Sequence, residues 1–264
     1  MISSKNIVCG KLRTKEVQAV QKTLLELKDL TIRFGGLIAV NTFNAQINVG
    51  EAVGLIGPNG AGKTTAFNLI AGVYAPTGGK VIFAGEDITG LKPYDVCRKG
   101  IGRTFQVVKP FGKMTVLQNI MVGAFINTPK PKEAKQVAVE IMGKIGLQSK
   151  SDSLARNLTI PERKRLEMAK ALATKPKLLL LDEVLAGLNP TEIEEAIMLI
   201  KSINREGITV LMIEHVLQAT MAICNRILVL DYGKKIAEGT PKEVTSNIDV
   251  IKAYLGDEYE DVKN

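Results

Sequence analysis

The spacing of hydrophobic residues divides the chain into a strand-rich first part, a helical middle part and a last part in which strands and helices alternate. In the first part, apolar and polar residues alternate, which is the period of a half-buried β-strand. Gly35 and Gly36 interrupt the alternation and predict a turn. The pattern therefore predicts a β-meander, whose apolar positions are Leu25, Leu27, Leu30, Ile32, Val40, Phe43, Ile47 and Val49.

Short apolar runs predict buried strands farther along the chain. Residues 52–56 read as a buried strand, and the four leucines at 178–181 are typical of a central parallel strand that is covered on both faces. The other predicted strands are Val81–Phe83, Ile208–Ile213 and Arg226–Leu230, with a helix near 216–223 between the last two.

The middle of the chain has helical rather than strand spacing. Residues 112–150 follow the helical period, and the segment Thr128–Lys132, which contains two prolines, divides them in two. We interpret residues 107–160, approximately, as a helical subdomain inserted into an α/β domain that spans residues 23–256. The remaining predictions are a mixed polar extension at 1–22, a helical tail from Pro241 to Leu255 and an acidic end at 257–264.

Composition and charge narrow the possible partners. The chain has 45% hydrophobic and 23% charged residues, which is ordinary for a globular protein, and a net charge of +8. Its lysines and arginines are scattered and only 5% of its residues are aromatic, so few side chains could stack on bases. We therefore expect no nucleic-acid partner. A basic face beside anionic lipid headgroups fits the same charge.

The cysteines and the apolar segments exclude other classes of protein. Cys9, Cys97 and Cys224 have no metal-ligand spacing, which argues against a zinc site or a disulfide framework and suits a reducing cytosol. The first residues lack the apolar stretch of a secretory signal, and no apolar run reaches the ~18 residues that span a bilayer. Any membrane role is therefore expected to pass through a partner.

A nine-residue stretch carries the main chemical signal of the chain. Residues 57–64 match the phosphate-loop pattern G-x-x-x-x-G-K-[ST], and a strand precedes them and a helix is predicted from Thr65. Glycines let backbone N–H groups turn toward an anion, Lys63 supplies charge for the phosphates and Thr64 can bind Mg²⁺. The alternative is a glycine-rich turn that binds nothing. The predicted ATP-binding residues of this stretch are Gly57, Pro58, Asn59, Gly60, Ala61, Gly62, Lys63, Thr64 and Thr65.

Two carboxylates follow the predicted strand at 178–181. At the end of such a strand, Asp182 can hold Mg²⁺ through water and Glu183 can polarise an attacking water. Without other support, two such residues are often only solvated charges at a strand end. The phosphate loop in the same chain favours the catalytic interpretation.

Three further residues are candidates for the same site. His215, the only histidine, follows a predicted strand and could donate to a γ-phosphate, although a single histidine is more often structural. The amide of Gln106 could reach the metal or the attacking water. Phe34 could stack on an adenine ring, and a place in the core of the first sheet is an equal alternative.

The order of these motifs resembles that of the ATP-binding subunits of ABC transporters. The resemblance covers nearly all of residues 24–256 and is strongest for importers of branched-chain and other hydrophobic amino acids. The sequences that carry it are Arg33-Phe-Gly-Gly-Leu37, Gly102-Arg-Thr-Phe-Gln106, Pro176-Lys-Leu-Leu-Leu-Leu-Asp-Glu183, Gly187-Leu-Asn-Pro-Thr-Glu192 and Ala253-Tyr-Leu-Gly256.

The resemblance implies a RecA-like P-loop ATPase core with an antiparallel β-subdomain and an inserted helical subdomain. It implies two ATPase subunits, identical or different, that bind two ATP head-to-tail on the cytoplasmic side of the membrane. They would power two permease subunits, served indirectly by an extracytoplasmic solute-binding protein. The implied roles are phosphate binding for Lys63, metal binding for Thr64 and Gln106, metal binding through water for Asp182, catalytic base for Glu183, γ-phosphate switch for His215 and adenine stacking for Phe34.

The chain departs from the family pattern in three places: Val184 replaces a common proline, Asn189 replaces the usual aspartate of the dimer-contacting loop, and the signature segment is altered. The signature Leu-Ser-Gly-Gly-Gln, which binds the partner's ATP, corresponds here to Leu158, Thr159, Ile160, Pro161 and Glu162. Pro161 has no N–H for a γ-phosphate, and Glu162 brings negative charge. Thr159 and Glu162 also fit a capping box that starts a helix, with no nucleotide involved.

Three other functions compete with the importer subunit. One is an ATPase subunit of a lipid or lipopolysaccharide exporter. Another is a soluble ABC ATPase of translation or DNA repair, although such proteins usually join two ATPase units or carry long coiled-coil insertions. The third is a scaffold that binds ATP without hydrolysing it, which the presence of both Glu183 and His215 disfavours.

Overall fold

The computed structural model describes residues 22–255, so the predicted acidic end and all but Lys22 of the predicted extension lie outside the described residues. Its strands are β1 (Thr23–Phe34), β2 (Leu37–Asn48), β3 (Ala52–Ile56), β4 (Gly78–Phe83), β5 (Glu86–Asp87), β6 (Ile101–Arg103), β7 (Leu178–Asp182), β8 (Thr209–Ile213), β9 (Arg226–Asp231) and β10 (Lys234–Gly239). Its helices are α1 (Lys63–Ile70), α2 (Pro93–Lys99), α3 (Val116–Ala124), α4 (Pro131–Ile145), α5 (Ile160–Ala173), α6 (Pro190–Arg205), α7 (Leu217–Ile223), α8 (Pro241–Thr245) and α9 (Ile248–Leu255).

The first part of the chain forms an antiparallel sheet with strand order β2-β1-β4-β5. The turn predicted at Gly35-Gly36 joins β1 to β2, and Phe34 pairs with Leu37 across it. Inward residues such as Leu25 and Phe43 are fully buried, as the alternation predicted. This antiparallel sheet packs against one face of a second, larger sheet. The two sheets share a cluster of buried apolar residues that also includes residues of α1.

Within the described residues, a second sheet has the order β10-β9-β3-β8-β7-β6, and its pairs are parallel except for β10 with β9. Successive leucines of β7 explain why this strand lacks alternation. Leu178 and Leu180 pack into the cluster with the antiparallel sheet, whereas Leu179 and Leu181 pack into a cluster with the helices. Because β3, β7 and β8 are parallel neighbours, their carboxyl ends lie at one edge of the sheet.

The helical middle part is built from α3, α4 and α5. The break predicted at Thr128–Lys132 is confirmed, because α3 ends at Ala124 and α4 begins at Pro131. Helix α5 begins at Ile160, the end of the predicted subdomain, and packs against both other helices through buried residues such as Ile120, Ala138 and Leu166. Among the described residues, no helix is long and apolar enough to cross a bilayer.

Two helix boundaries differ from their predictions. Helix α1 begins at Lys63 and not at Thr65, because Gly62 has a left-handed φ of 98° and the helical turn starts directly after it. The helical tail is two helices and not one. The Asn247 side chain accepts hydrogen bonds from the backbone N–H groups of Asp249, at 2.8 Å, and Val250, at 3.4 Å, and thereby starts α9.

Candidate nucleotide-binding site

The loop between β3 and α1 requires glycine because backbones approach it closely. A Cβ on Gly57 would lie 2.0 Å from the carbonyl oxygen of Leu230, and one on Gly62 would lie 2.3 Å from that of Ala39. Neither oxygen belongs to a flexible side chain that could move aside. The predicted phosphate loop is therefore held between β9 and β2, with the positive end of the α1 dipole behind it.

Lys63 occupies the first turn of α1 and is 6% exposed. Its Nζ donates to the carbonyl oxygens of Gly57 and Pro58, both at 2.8 Å. Burial lowers the pKa of this ammonium, and the charges of Glu183 and Asp182 oppose that shift. Because an ammonium has three donors, Lys63 can hold the loop and still donate to a phosphate.

Asp182, at the end of β7, has a carboxylate that is only 1% exposed. Its Oδ2 accepts from the Nη2 of Arg103 at 3.0 Å, whereas its buried Oδ1 has no hydrogen-bond partner among the described residues. Burial raises the pKa of this carboxyl, and the Arg103 guanidinium acts against that shift.

The residues of the predicted metal site, Thr64, Gln106 and Asp182, line one cavity of about 460 Å³. A hydroxyl, an amide and a carboxylate with an unpaired oxygen are the hard oxygen ligands that Mg²⁺ prefers. Mg²⁺ usually takes one or two carboxylates together with substrate phosphates. The donor set therefore fits this metal.

Glu183 lies between two side chains from other parts of the chain. The Nε2 of Gln106 donates to its Oε2 at 2.6 Å, and the Nε2 of His215 lies 2.8 Å from its Oε1. Glu183 has a left-handed φ of 50°, and its N–H donates to the carbonyl oxygen of Ile213 on β8 at 2.9 Å. The structure thus brings together the three residues that were predicted to act on water and the γ-phosphate.

Phe34 is at the surface and not in the core of the first sheet. Its side chain is 45% exposed and makes an edge-to-face contact with Tyr74, with ring centroids 5.4 Å apart. The alternative core placement is therefore wrong. Phe34 lines a cavity of about 410 Å³ together with the phosphate loop, Glu183 and His215. An adenine could reach its face from that cavity.

Residues 158–162 form the capping box that their sequence predicts. The Thr159 hydroxyl accepts from the N–H of Glu162 at 3.4 Å, and the Glu162 Oε2 accepts from the N–H of Thr159 at 2.9 Å. Leu158 is buried, Ile160 is exposed and Pro161 lies in the first turn of α5. In the described structure, this segment lines neither of the two cavities.

Some residues next to the site had no predicted role. Buried Glu214 accepts from the N–H of Leu185 at 2.9 Å, and burial raises the pKa of its carboxyl to about 7. Lys164 of α5 donates to the carbonyl oxygen of Glu183 at 3.2 Å. The sequence does contain a signal for Glu214, because this carboxylate stands at the end of an apolar run. Nothing in the sequence distinguishes Lys164 from the other lysines.

Comparisons with known proteins agree with this geometry. Residues 40–186 match the ABC transporter family, and residues 234–260 match a family described as branched-chain amino acid ATP-binding cassette transporter. The solved ADP conformation of an ATP-binding cassette of an ABC transporter has a TM-score of 0.81 and 30% identity, covering 89% of this chain and 99% of that chain.

Curated relatives match over most of the chain. High-affinity branched-chain amino acid transport ATP-binding proteins BraF of Pseudomonas aeruginosa and LivG of Escherichia coli are 40% and 41% identical over 254 residues, covering 90% of this chain and 100% of each relative. The lipopolysaccharide export system ATP-binding protein LptB of Haemophilus influenzae is 33% identical over 238 residues, covering 90% of this chain and 99% of LptB. The phosphate loop, the paired carboxylates and these matches agree, and the chain belongs to the ABC transporter family as an ATP-binding, ATP-hydrolysing subunit.

Proposed function

We propose that this chain hydrolyses ATP to power an importer of branched-chain amino acids. The observation that carries the proposed catalysis is Glu183, held between Gln106 and His215 at the mouth of the phosphate loop. The match of residues 234–260 to the branched-chain amino acid family, and the higher identity to BraF and LivG than to LptB, favour this cargo over lipopolysaccharide.

Different side chains act on the phosphates, the adenine, the metal and the attacking water. The phosphate loop and Lys63 bind the phosphates, and Phe34 stacks on the adenine. Thr64, Gln106 and Asp182 would hold Mg²⁺, which when bound neutralises charge on the phosphates. Glu183 orients and polarises the attacking water, and His215 donates to the γ-phosphate.

The chain acts as one of two ATPase subunits at the cytoplasmic face of two permeases, with an extracytoplasmic solute-binding protein acting indirectly. In a head-to-tail dimer, each ATP takes its phosphate loop from one subunit and its signature from the other. The placement of residues 158–162 away from both cavities supports this division.

The two ATPase subunits are different chains in this proposal. A homodimer would carry the altered Thr159–Glu162 segment at both ATP sites, where Pro161 offers no N–H and Glu162 repels phosphate. A second subunit with an ordinary signature would instead complete the intact phosphate loop of this chain. The working dimer then has one strong and one weak site.

Uptake of labelled leucine tests the proposed cargo. Cells that carry Lys63→Ala in place of the native chain should lose uptake, whereas cells that carry the exposed-surface control Glu194→Gln should keep it. Uptake that is unchanged by Lys63→Ala, with a defect in the outer membrane instead, would support the exporter and reject the importer.

A further inference from the structure

Arg103 lines the same cavity as the predicted metal ligands Thr64, Gln106 and Asp182, and the proposed function gives it no role. It ends β6, where it pairs with Leu180 of β7, and the next residue continues the pairing through a hydrogen bond from the N–H of Thr104 to the carbonyl oxygen of Leu180 at 2.9 Å. This register brings the Arg103 side chain beside Asp182. The arginine is only 9% exposed.

The guanidinium joins the metal-side carboxylate to the helix of the phosphate loop. Its Nη2 donates to the Oδ2 of Asp182 at 3.0 Å, and its Nη1 donates to the Oδ1 of Asn68, on α1, at 2.6 Å. Because the guanidinium is a rigid planar fork, the bond to Asn68 fixes the direction in which the other nitrogen faces Asp182. The shorter, single-point ammonium of a lysine could not make both bonds in this way.

Two aromatic rings lie against the same guanidinium. Its Cζ is 6.0 Å from the ring centroid of Phe67 on α1 and 5.3 Å from that of Phe105. Phe105 is 55% exposed and directly precedes Gln106. Arg103 therefore contacts the phosphate-loop helix, the carboxylate and the segment that carries Gln106.

We propose that Arg103 is a positioning residue for Asp182 and Gln106, two of the predicted metal ligands. By occupying Oδ2 of Asp182, it leaves Oδ1, which has no hydrogen-bond partner among the described residues, as the oxygen that would be available to a metal. Through its contact with Phe105, it also ties that carboxylate to the backbone that carries Gln106. The inference rests on the proposed function, because it needs Asp182 and Gln106 to act on a metal–nucleotide complex.

Calorimetric titration with a non-hydrolysable imido analogue of ATP, in Mg²⁺ and in EDTA, tests this role on the full chain. The wild type should bind more tightly in Mg²⁺ than in EDTA. Arg103→Met should reduce the gain from Mg²⁺ by about 10- to 100-fold, the usual cost of losing a partner that orients a metal ligand. Its affinity in EDTA should stay within about twofold, because Lys63 and the loop bind the phosphates without the metal.

Three more variants separate positioning from folding. Arg103→Lys should also lose most of the gain from Mg²⁺, and Phe105→Ala, which leaves the Arg103–Asp182 pair intact, should show a smaller loss in the same direction. Arg98→Met is the matched control, since Arg98 is exposed and lies 5.8 Å from the ring of Tyr94, and it should bind like the wild type. Thermal unfolding without nucleotide, measured for each variant, shows which of them fold.

The outcomes distinguish the inference from the proposed function. Equal losses in Mg²⁺ and in EDTA would mean that Arg103 is purely structural. If Arg103→Met does not fold, a normal gain from Mg²⁺ in both Arg103→Lys and Phe105→Ala overturns the inference. A wild type that binds without any gain from Mg²⁺ would instead reject the metal site of the proposed function.

Discussion

Gln106 and Glu183, which are 77 residues apart in the chain, are joined by a hydrogen bond of 2.6 Å from Nε2 to Oε2. The bond links the segment at the entrance of the helical middle part to the proposed catalytic base. A carboxylate has about four lone-pair sites, so Glu183 can accept from Gln106, lie against His215 and still accept from a water. A movement of the segment that carries Gln106 would therefore act directly on the carboxylate of Glu183, the proposed catalytic base.

Glu183→Gln should stop turnover and leave ATP bound. The amide keeps the shape of the side chain but cannot take a proton from water, so we expect the hydrolysis rate to fall by at least ~10²-fold. Phosphate release measures the rate, and titration with ATP measures binding. Glu194→Gln, on the exposed face of α6, is the control. Hydrolysis at the wild-type rate would show that Glu183 is structural.

Lys63→Ala should remove most nucleotide affinity. Its ammonium already bonds the carbonyl oxygens of Gly57 and Pro58, so the substitution removes both a phosphate partner and a support of the loop. The loss of one charge-assisted hydrogen bond predicts a cost of about 1.5–3 kcal/mol, or roughly 10- to 150-fold in Kd. Titration with ADP checks this, with Lys99→Ala as an exposed lysine control. Affinity within twofold of the wild type would argue against the phosphate loop.

Helices, strands and turns could be predicted where the residues of one continuous segment show the spacing or composition of that element. Strands β3, β7 and β8 are apolar on both faces, and the Gly35-Gly36 turn is explicit in the sequence. The apolar spacing of helix α6 was not recognised as helical, and α2, β5, β6 and β10 were not predicted either. Strand β6 has only three residues and exists because Ile101 and Arg103 pair with β7. Such short elements depend on distant partners, which local spacing does not reveal.

The residues of the candidate site, like the elements of the fold, could be predicted only where one continuous segment carries the motif. The phosphate loop and the Asp182-Glu183 pair follow from spacing, because each motif is contiguous. The bond from Arg103 to Asp182 requires β6 and β7 to be neighbours in the sheet, and the sequence does not specify that order. The burial of Glu214, which sets its pKa, likewise depends on the packing of elements far apart in the chain.

The buried carboxyl of Glu214 should make stability depend on pH. Burial raises its pKa from 4.5 to about 7, and the charges of Lys164 and Glu183 act in opposite directions on it. Between these values the folded chain holds a proton that the unfolded chain releases, so raising the pH through this window lowers the free energy of unfolding.

Replacing Glu214 isolates this contribution. Glu214→Gln keeps an oxygen that can accept from the N–H of Leu185 and does not titrate. Its melting temperature relative to the wild type should therefore rise between about pH 5 and about pH 8. Glu194→Gln, an exposed control, should show a constant difference. A constant difference for Glu214→Gln as well would mean that the carboxyl titrates normally in the folded state.

The altered signature predicts weak hydrolysis by the isolated chain. Pro161→Gly together with Glu162→Gln should raise the rate of the purified protein, because the first substitution supplies an N–H and the second removes a repelling charge. The capping box survives this change, since a glutamine at residue 162 can still accept from the N–H of Thr159. The ion pair between Glu162 and Lys150, at 3.1 Å, is lost, but such exposed pairs contribute little stability.

The matched control for this double variant is Pro131→Gly, which changes a proline in the first turn of α4, a helix with no proposed nucleotide contact. It should leave the rate unchanged, so a gain confined to the double variant assigns the effect to the signature. Reconstitution with a second ATPase subunit that bears an ordinary signature should raise the rate further through the intact phosphate loop of this chain. If the purified chain is already as active as the reconstituted complex, and the double substitution changes nothing, the two-subunit proposal is wrong. In that case the start of α5 supports hydrolysis without an N–H at residue 161.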